Sequence, residues 1–149
     1  MGLQPILSAI DHTGIAVTNL GDSIPFYRDV LHLELVHREV LPEQGVEAVL
    51  FDVGDAHVEL IAPLSPDSGV ARFIDRRGPG LHHVAYRVDD IEAALRTLSA
   101  AGVRLIDDSP RVGIRGSRVA FLHPSSSAGV LTEVVQPATE ATSAAAALS

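Results

Sequence analysis

A chain of 149 residues with 46% hydrophobic content suits one compact domain, or two small modules sharing a core. Its formal net charge of −8 argues against nucleic acid as the main partner, because phosphate binding wants a basic surface. No apolar run approaches the roughly 18 residues of a membrane helix. Cysteine is absent and all eleven basic residues are arginine, which excludes disulfides, thiolate chemistry, lysine Schiff bases and Walker-type lysines. Any metal site must therefore use histidine and carboxylate. No basic segment followed by an apolar run opens the sequence, so the expected setting is cytoplasmic.

In chain order, residues 1–8 read as a short frayed leader. Residues 10–17 alternate as a strand, with His12, Gly14 and Ala16 on one face and Thr13, Ile15 and Val17 on the other. Asp22-Ser23 with Pro25 just beyond reads as a helix start, and Ile24, Tyr27 and Leu31 give its apolar stripe. A strand is predicted around 34–40, a turn over 41–45, and a strand over 46–53. Gly54-Asp55 makes a hairpin turn into a strand over 57–62. Pro63 and Pro66 break the sheet, and Asp67-Ser68 caps a linking helix over 69–77 that stops at Gly78. A strand over 81–88 follows, then a helix from Asp89-Asp90 with Ile91, Leu95 and Leu98 inward and Gly102 as its stop. Further strands are expected over 103–107, 117–122 and 130–136. A loop over 110–116 carries Arg111 and Arg115. Past Pro137 the sequence reads as a disordered tail over 138–149.

The order repeats. One offset of 71 residues relates His12 to His83, Tyr27 to Leu98 and Leu35 to Ile106. An internal repeat constrains the whole fold. The expected class is α+β: two tandem βαβββ modules, one over 8–64 and one over 80–137, joined by the linking helix over 67–77. Together they form one curved eight-stranded sheet around a metal-binding cleft, with helices outside, in a single domain over 8–137.

The repeat also pairs two glutamates set among strand aliphatics, Glu59 in the first module and Glu133 in the second. A charge there is costly unless it is paired or bound to a cation. Two imidazoles and two carboxylates, from His12, Glu59, His83 and Glu133, suit a divalent Co, Mn, Ni, Fe or Zn ion that acts as a Lewis acid. The alternative for the glutamates is a pair of solvated strand carboxylates. His82 falls on the other face from His83 by parity. His57 shares the face of Glu59 and reads equally as a cleft or an edge residue. His32 and His37 have no repeat partner and read as structural. Arg111, Arg115 and Arg118 cluster in an acidic chain, as an anion anchor or as a solvated loop, while Arg72, Arg76 and Arg77 read as a solvated helix face.

These residues resemble the vicinal oxygen chelate superfamily, and most closely its methylmalonyl-CoA epimerase family. The resemblance lies in Gly80-Leu81-His82-His83-Val84-Ala85, in Phe121-Leu122-His123-Pro124 and in Gly129-Val130-Leu131-Thr132-Glu133. In the first half it lies in Asp11-His12, Phe26-Tyr27, Pro42-Glu43-Gln44-Gly45-Val46 and Glu59-Leu60. It spans about residues 8 to 137. It implies interconversion of the two C2 epimers of an acyl-CoA, methylmalonyl-CoA, with a divalent ion, often cobalt, on His12, Glu59, His83 and Glu133, and a homodimer. Manganese, nickel or zinc could replace cobalt. Inversion at one carbon wants an acid/base on each face. Some members place a catalytic glutamate three residues beyond the Gly of the Gln-Gly-Val turn. Ungapped, that position is Ala48, and parity turns Glu47 to the opposite face; a one-residue deletion in the turn would restore it. Glu47 and Glu133 are thus the acid/base candidates. The alternatives are a glyoxalase I type lyase acting on a glutathione hemithioacetal and, from another class, a small-molecule sequestering protein. The sequestering reading is weakened by 4% aromatic content and no tryptophan.

Overall fold

The computed structural model describes residues 4–139. The outer parts of the expected frayed leader and disordered tail, residues 1–3 and 140–149, lie outside the described residues. The elements run β1 (Ala9–Ala16), α1 (Leu20–Pro25), β2 (Leu35–Leu41), β3 (Val46–Val53), β4 (Ala56–Pro63), α2 (Gly69–Arg77), β5 (Gly80–Arg87), α3 (Ile91–Ala100), β6 (Arg111–Val112), β7 (Arg118–Leu122) and β8 (Thr132–Gln136). The βαβββ order thus occurs twice, with α2 between. No helix among the described residues is long and apolar enough to cross a membrane.

The chain divides into two compact units, and the division cuts β1 between Asp11 and His12 and β5 between His83 and Val84. Residues 12–83 form the first unit. Its strand order is β2-β3-β4-β1-β5, with β1 and β4 parallel and β3 antiparallel to both β2 and β4. Alternation along each strand sends Val49, Phe51, Leu60 and Ala62 to one face, where they pack with Val17, Leu20 and Ile24. Phe51 and Leu60 have no exposed surface, and burying side chains of this size contributes about 1.5–3 kcal/mol each. The opposite face carries His12, Gly14, Glu59 and Leu50.

The second unit, residues 4–11 and 84–139, has the strand order β1-β5-β8-β7-β6, with β5 and β8 parallel. Its core is Val88, Ile91, Ala94, Leu95, Ala120, Leu122 and Val134. Asp11 is buried there and held by the Arg87 guanidinium at 3.1 Å.

One expected boundary moves and one expected strand is replaced. The first helix begins at Leu20, because the Asn19 side chain accepts the Asp22 N–H and so caps the chain earlier than Asp22-Ser23. Beyond Pro25, residues Phe26–Val30 continue as a π-helical turn. The expected strand over 103–107 does not form. Ile106 and Asp107 both donate to the Phe121 carbonyl, and the Asp107 carboxylate takes the Phe121 N–H that a ladder partner would need. Only a Leu105–Leu122 bridge remains, and the sixth strand is instead Arg111–Val112.

Candidate metal centre

Within the first unit, β1, β4 and β5 each bring one polar side chain to a common point. His12 Nε2 lies 3.0 Å from His83 Nε2. Glu59 Oε1 lies 3.7 Å from His12 Nε2 and 3.6 Å from His83 Nε2. All three residues are buried, at 2%, 7% and 3% exposure for His12, Glu59 and His83. The parallel β1/β4 register sets Glu59 beside Gly14, two residues along from His12 on the same face.

This geometry fits a divalent ion. Ligand atoms about 2.1 Å from one centre stand about 3.0 Å apart at a right angle and about 3.6 Å apart at 120°. The carboxylate is too far for a direct hydrogen bond to either imidazole. Two nitrogen donors and one oxygen donor are the set that first-row divalent ions prefer. His83 is prepared for it: burial, then the neighbouring His12 and His82, push its imidazole well below the ordinary range, which favours the neutral form that a metal ligand needs.

Two residues build this site to which the sequence reading assigns no role in it. Gly14 is the first. A Cβ at that position would stand 2.0 Å from His83 Cε1, so glycine is required to seat the ring. The second is His82, whose Nδ1 lies 2.9 Å from His83 Nδ1 and whose ring meets Phe73 of α2 edge-on at 4.9 Å. Burial holds His82 neutral as well. For His83 Nε2 to offer a lone pair, its Nδ1 must carry the proton and donate it to His82 Nδ1, so His82 selects the ligating tautomer. The only sequence signal for this was the His-His doublet.

The remaining expected residues are distributed as follows. Glu133 lies in the second unit, buried in β8 opposite Ala85 and Phe121. Glu47 does not reach the face of Glu59. It pairs in register with Val40 and Ala62, on the face of Val49 and Phe51, and its carboxylate binds the Arg38 guanidinium at 3.0 Å, which holds it below the usual range. Ala48 occupies the position facing the site side, so the shift that would restore Glu47 is not realised. His57 shares that side and contacts Asp52 at 2.8 Å. Of the arginine cluster, Arg111 pairs with Asp107 and Arg118 with Glu92 of α3, while Arg115 sits at a positive φ of 60° in a short 3₁₀ turn.

The glyoxalase/bleomycin resistance protein/dioxygenase superfamily model matches residues 11–121. A crystal structure of methylmalonyl-CoA epimerase from Mycobacterium tuberculosis is 40% identical, with a TM-score of 0.90, over 95% of each chain. A Streptomyces coelicolor methylmalonyl-CoA epimerase variant in complex with 2-nitronate-propionyl-CoA is 38% identical, with a TM-score of 0.87, covering 89% of this chain and 96% of the other. The mitochondrial methylmalonyl-CoA epimerase of Mus musculus is 37% identical over 131 residues, 87% of this chain and 74% of its own.

Proposed function

This chain belongs to the glyoxalase/bleomycin resistance protein/dioxygenase superfamily and, within it, to the methylmalonyl-CoA epimerases, and on that premise we propose how it interconverts the 2R and 2S forms of methylmalonyl-CoA. The observation that carries the reading is the buried meeting of His12, Glu59 and His83, with ligand atoms 3.0–3.7 Å apart. Glu133 enters through the internal repeat, which pairs it with Glu59, as the fourth ligand and as an acid/base. The substrate carbon lies between a thioester and a carboxylate, so losing its proton leaves an enolate. A divalent ion at this centre supplies a Lewis acid for the charge that develops on the substrate oxygen. The protein's own part is to hold two imidazoles and one carboxylate in fixed positions before substrate arrives, which removes the cost of reorganising them during reaction. Return of a proton to the opposite face of the carbon gives the other epimer.

Cobalt is the expected ion, with manganese, nickel or zinc as substitutes, because the donor set is borderline in hardness and the family resemblance favours cobalt. A homodimer in a cytoplasmic setting is part of the same reading and rests on that resemblance and on the composition.

The test is turnover in deuterated water with Co²⁺ added. Either pure epimer of methylmalonyl-CoA is expected to exchange its C2 proton and to reach an equal mixture. No exchange by a fully metallated protein that turns over a glutathione hemithioacetal would assign the lyase activity instead.

A further inference from the structure

The face of the first unit that carries His12 and Glu59 can be followed strand by strand, because directly paired residues present their side chains on the same side. One row runs from His37 of β2 through Leu50 of β3 and Glu59 of β4 to Gly14 of β1. The next runs from Glu39 through Ala48 and Ile61 to Ala16. Glu39 and His37 therefore share the face of Glu59, whereas Glu47 and Arg38 lie on the other. Two strand spacings separate β2 from β4, about 10 Å, with β3 between them. Ala48, directly opposite Glu39, is buried and carries no acid of its own, so Glu39 is the carboxylate at the end of this row.

Glu39 and His37 are joined, with His37 Nε2 2.8 Å from Glu39 Oε1, and both are about a third exposed, so the pair meets solvent. The other polar pair on this face, Asp52 and His57, lies in the row of His12, beside the ligands rather than across from them. A base must face the carbon, which stands beyond the substrate oxygens that the ligand side would hold.

We propose that Glu39, positioned by His37, is the acid/base serving one face of the substrate C2. This rests on the epimerase reading above and completes it, since inversion requires two such groups and Glu47 is turned away. With one epimer bound, the Glu39 carboxylate takes the C2 proton and the C–H electron pair passes into the enolate. A protonated carboxyl at the other face delivers a proton to C2 and becomes a carboxylate. Turnover of the opposite epimer runs the same transfers in reverse, and each carboxyl also exchanges its proton with solvent.

The experiment follows epimerisation and C2 deuterium incorporation separately from pure 2R and pure 2S substrate in the Co²⁺-loaded full chain. It compares wild type with Glu39→Gln, Glu39→Asp, Glu47→Gln and His57→Asn, and bound metal is counted in each. For Glu39→Gln we expect epimerisation to fall at least about 100-fold, the scale of a lost general acid/base, with metal content unchanged. Exchange is expected to persist from one epimer only. Glu39→Asp should recover part of the rate, and Glu47→Gln should stay within a few-fold of wild type. Epimerisation by Glu39→Gln near the wild-type rate overturns the proposal. So does loss of exchange from both epimers with metal retained, or single-epimer exchange appearing in His57→Asn instead. A wild-type protein that exchanges neither epimer removes the functional reading itself, which separates that failure from this one.

Discussion

At the scale of single residues, the centre depends on atoms that are missing as much as on those present. Gly14 has no special backbone angle to justify it; its role is to leave the volume that the His83 ring fills. Gly14→Ala should displace that ring and lower Co²⁺ affinity at least about tenfold, the low end of what disturbing a ligand's support costs. Titration calorimetry on the chelated protein measures this, and unchanged affinity would refute it. His82→Phe keeps an aromatic ring against Phe73 but removes the acceptor for His83 Nδ1. It should weaken the ion by about 10–100-fold while the protein stays folded. The two neutral histidines also make the metal-free protein acid-sensitive. Their folded pKa values are depressed, against an unfolded value of about 6.5, so below that pH the unfolded chain binds more protons than the folded one. Their contribution to stability should therefore be level above about pH 6.5 and fall as pH drops below it, as urea midpoints at several pH values compared with those of His82→Phe would record.

At the scale of elements, the strands and helices that position the centre were legible because their patterns are strong. The linking helix over 69–77 and its Ser68 cap, the hairpin at Gly54-Asp55 and the strand over 46–53 all form where expected. The strand over 103–107 failed for a reason that no apolar pattern records: the Asp107 side chain replaces a backbone acceptor. The facing of Glu47 was ambiguous for a different reason. β3 is buried on both faces from Ala48 to Phe51, so hydrophobic alternation does not state which parity faces the site. Register with β2 and β4 decides it. The helix-side core of this unit is held by Phe51, which has no exposed surface and stacks on Tyr27 at 5.5 Å. Phe51→Ala should cost about 3–5 kcal/mol in denaturant unfolding. A loss below about 1 kcal/mol would mean that β3 does not pack as described.

At the scale of the whole molecule, the repeat made the chemistry readable from sequence. Two histidines at one offset pointed to a shared ion, and His12 and His83 do meet within the first unit, joined by Glu59. What the repeat could not reveal was the supporting packing around them, since Gly14 and His82 have no repeat-related counterpart of the same type. A site of this kind ties stability to its ion. An ion at 100 times its dissociation constant stabilises the folded state by about 2.7 kcal/mol, so chelation should lower the melting temperature and added Co²⁺ restore it. The most direct measurement is C2 deuterium exchange of methylmalonyl-CoA, followed while Co²⁺ is titrated into the chelated protein. Exchange should be absent at the start, rise in proportion to bound ion and saturate at one ion per chain, and it should stay absent in His12→Ala and His83→Ala. Full-rate exchange by the metal-free protein, or saturation that survives loss of either histidine, would contradict the account.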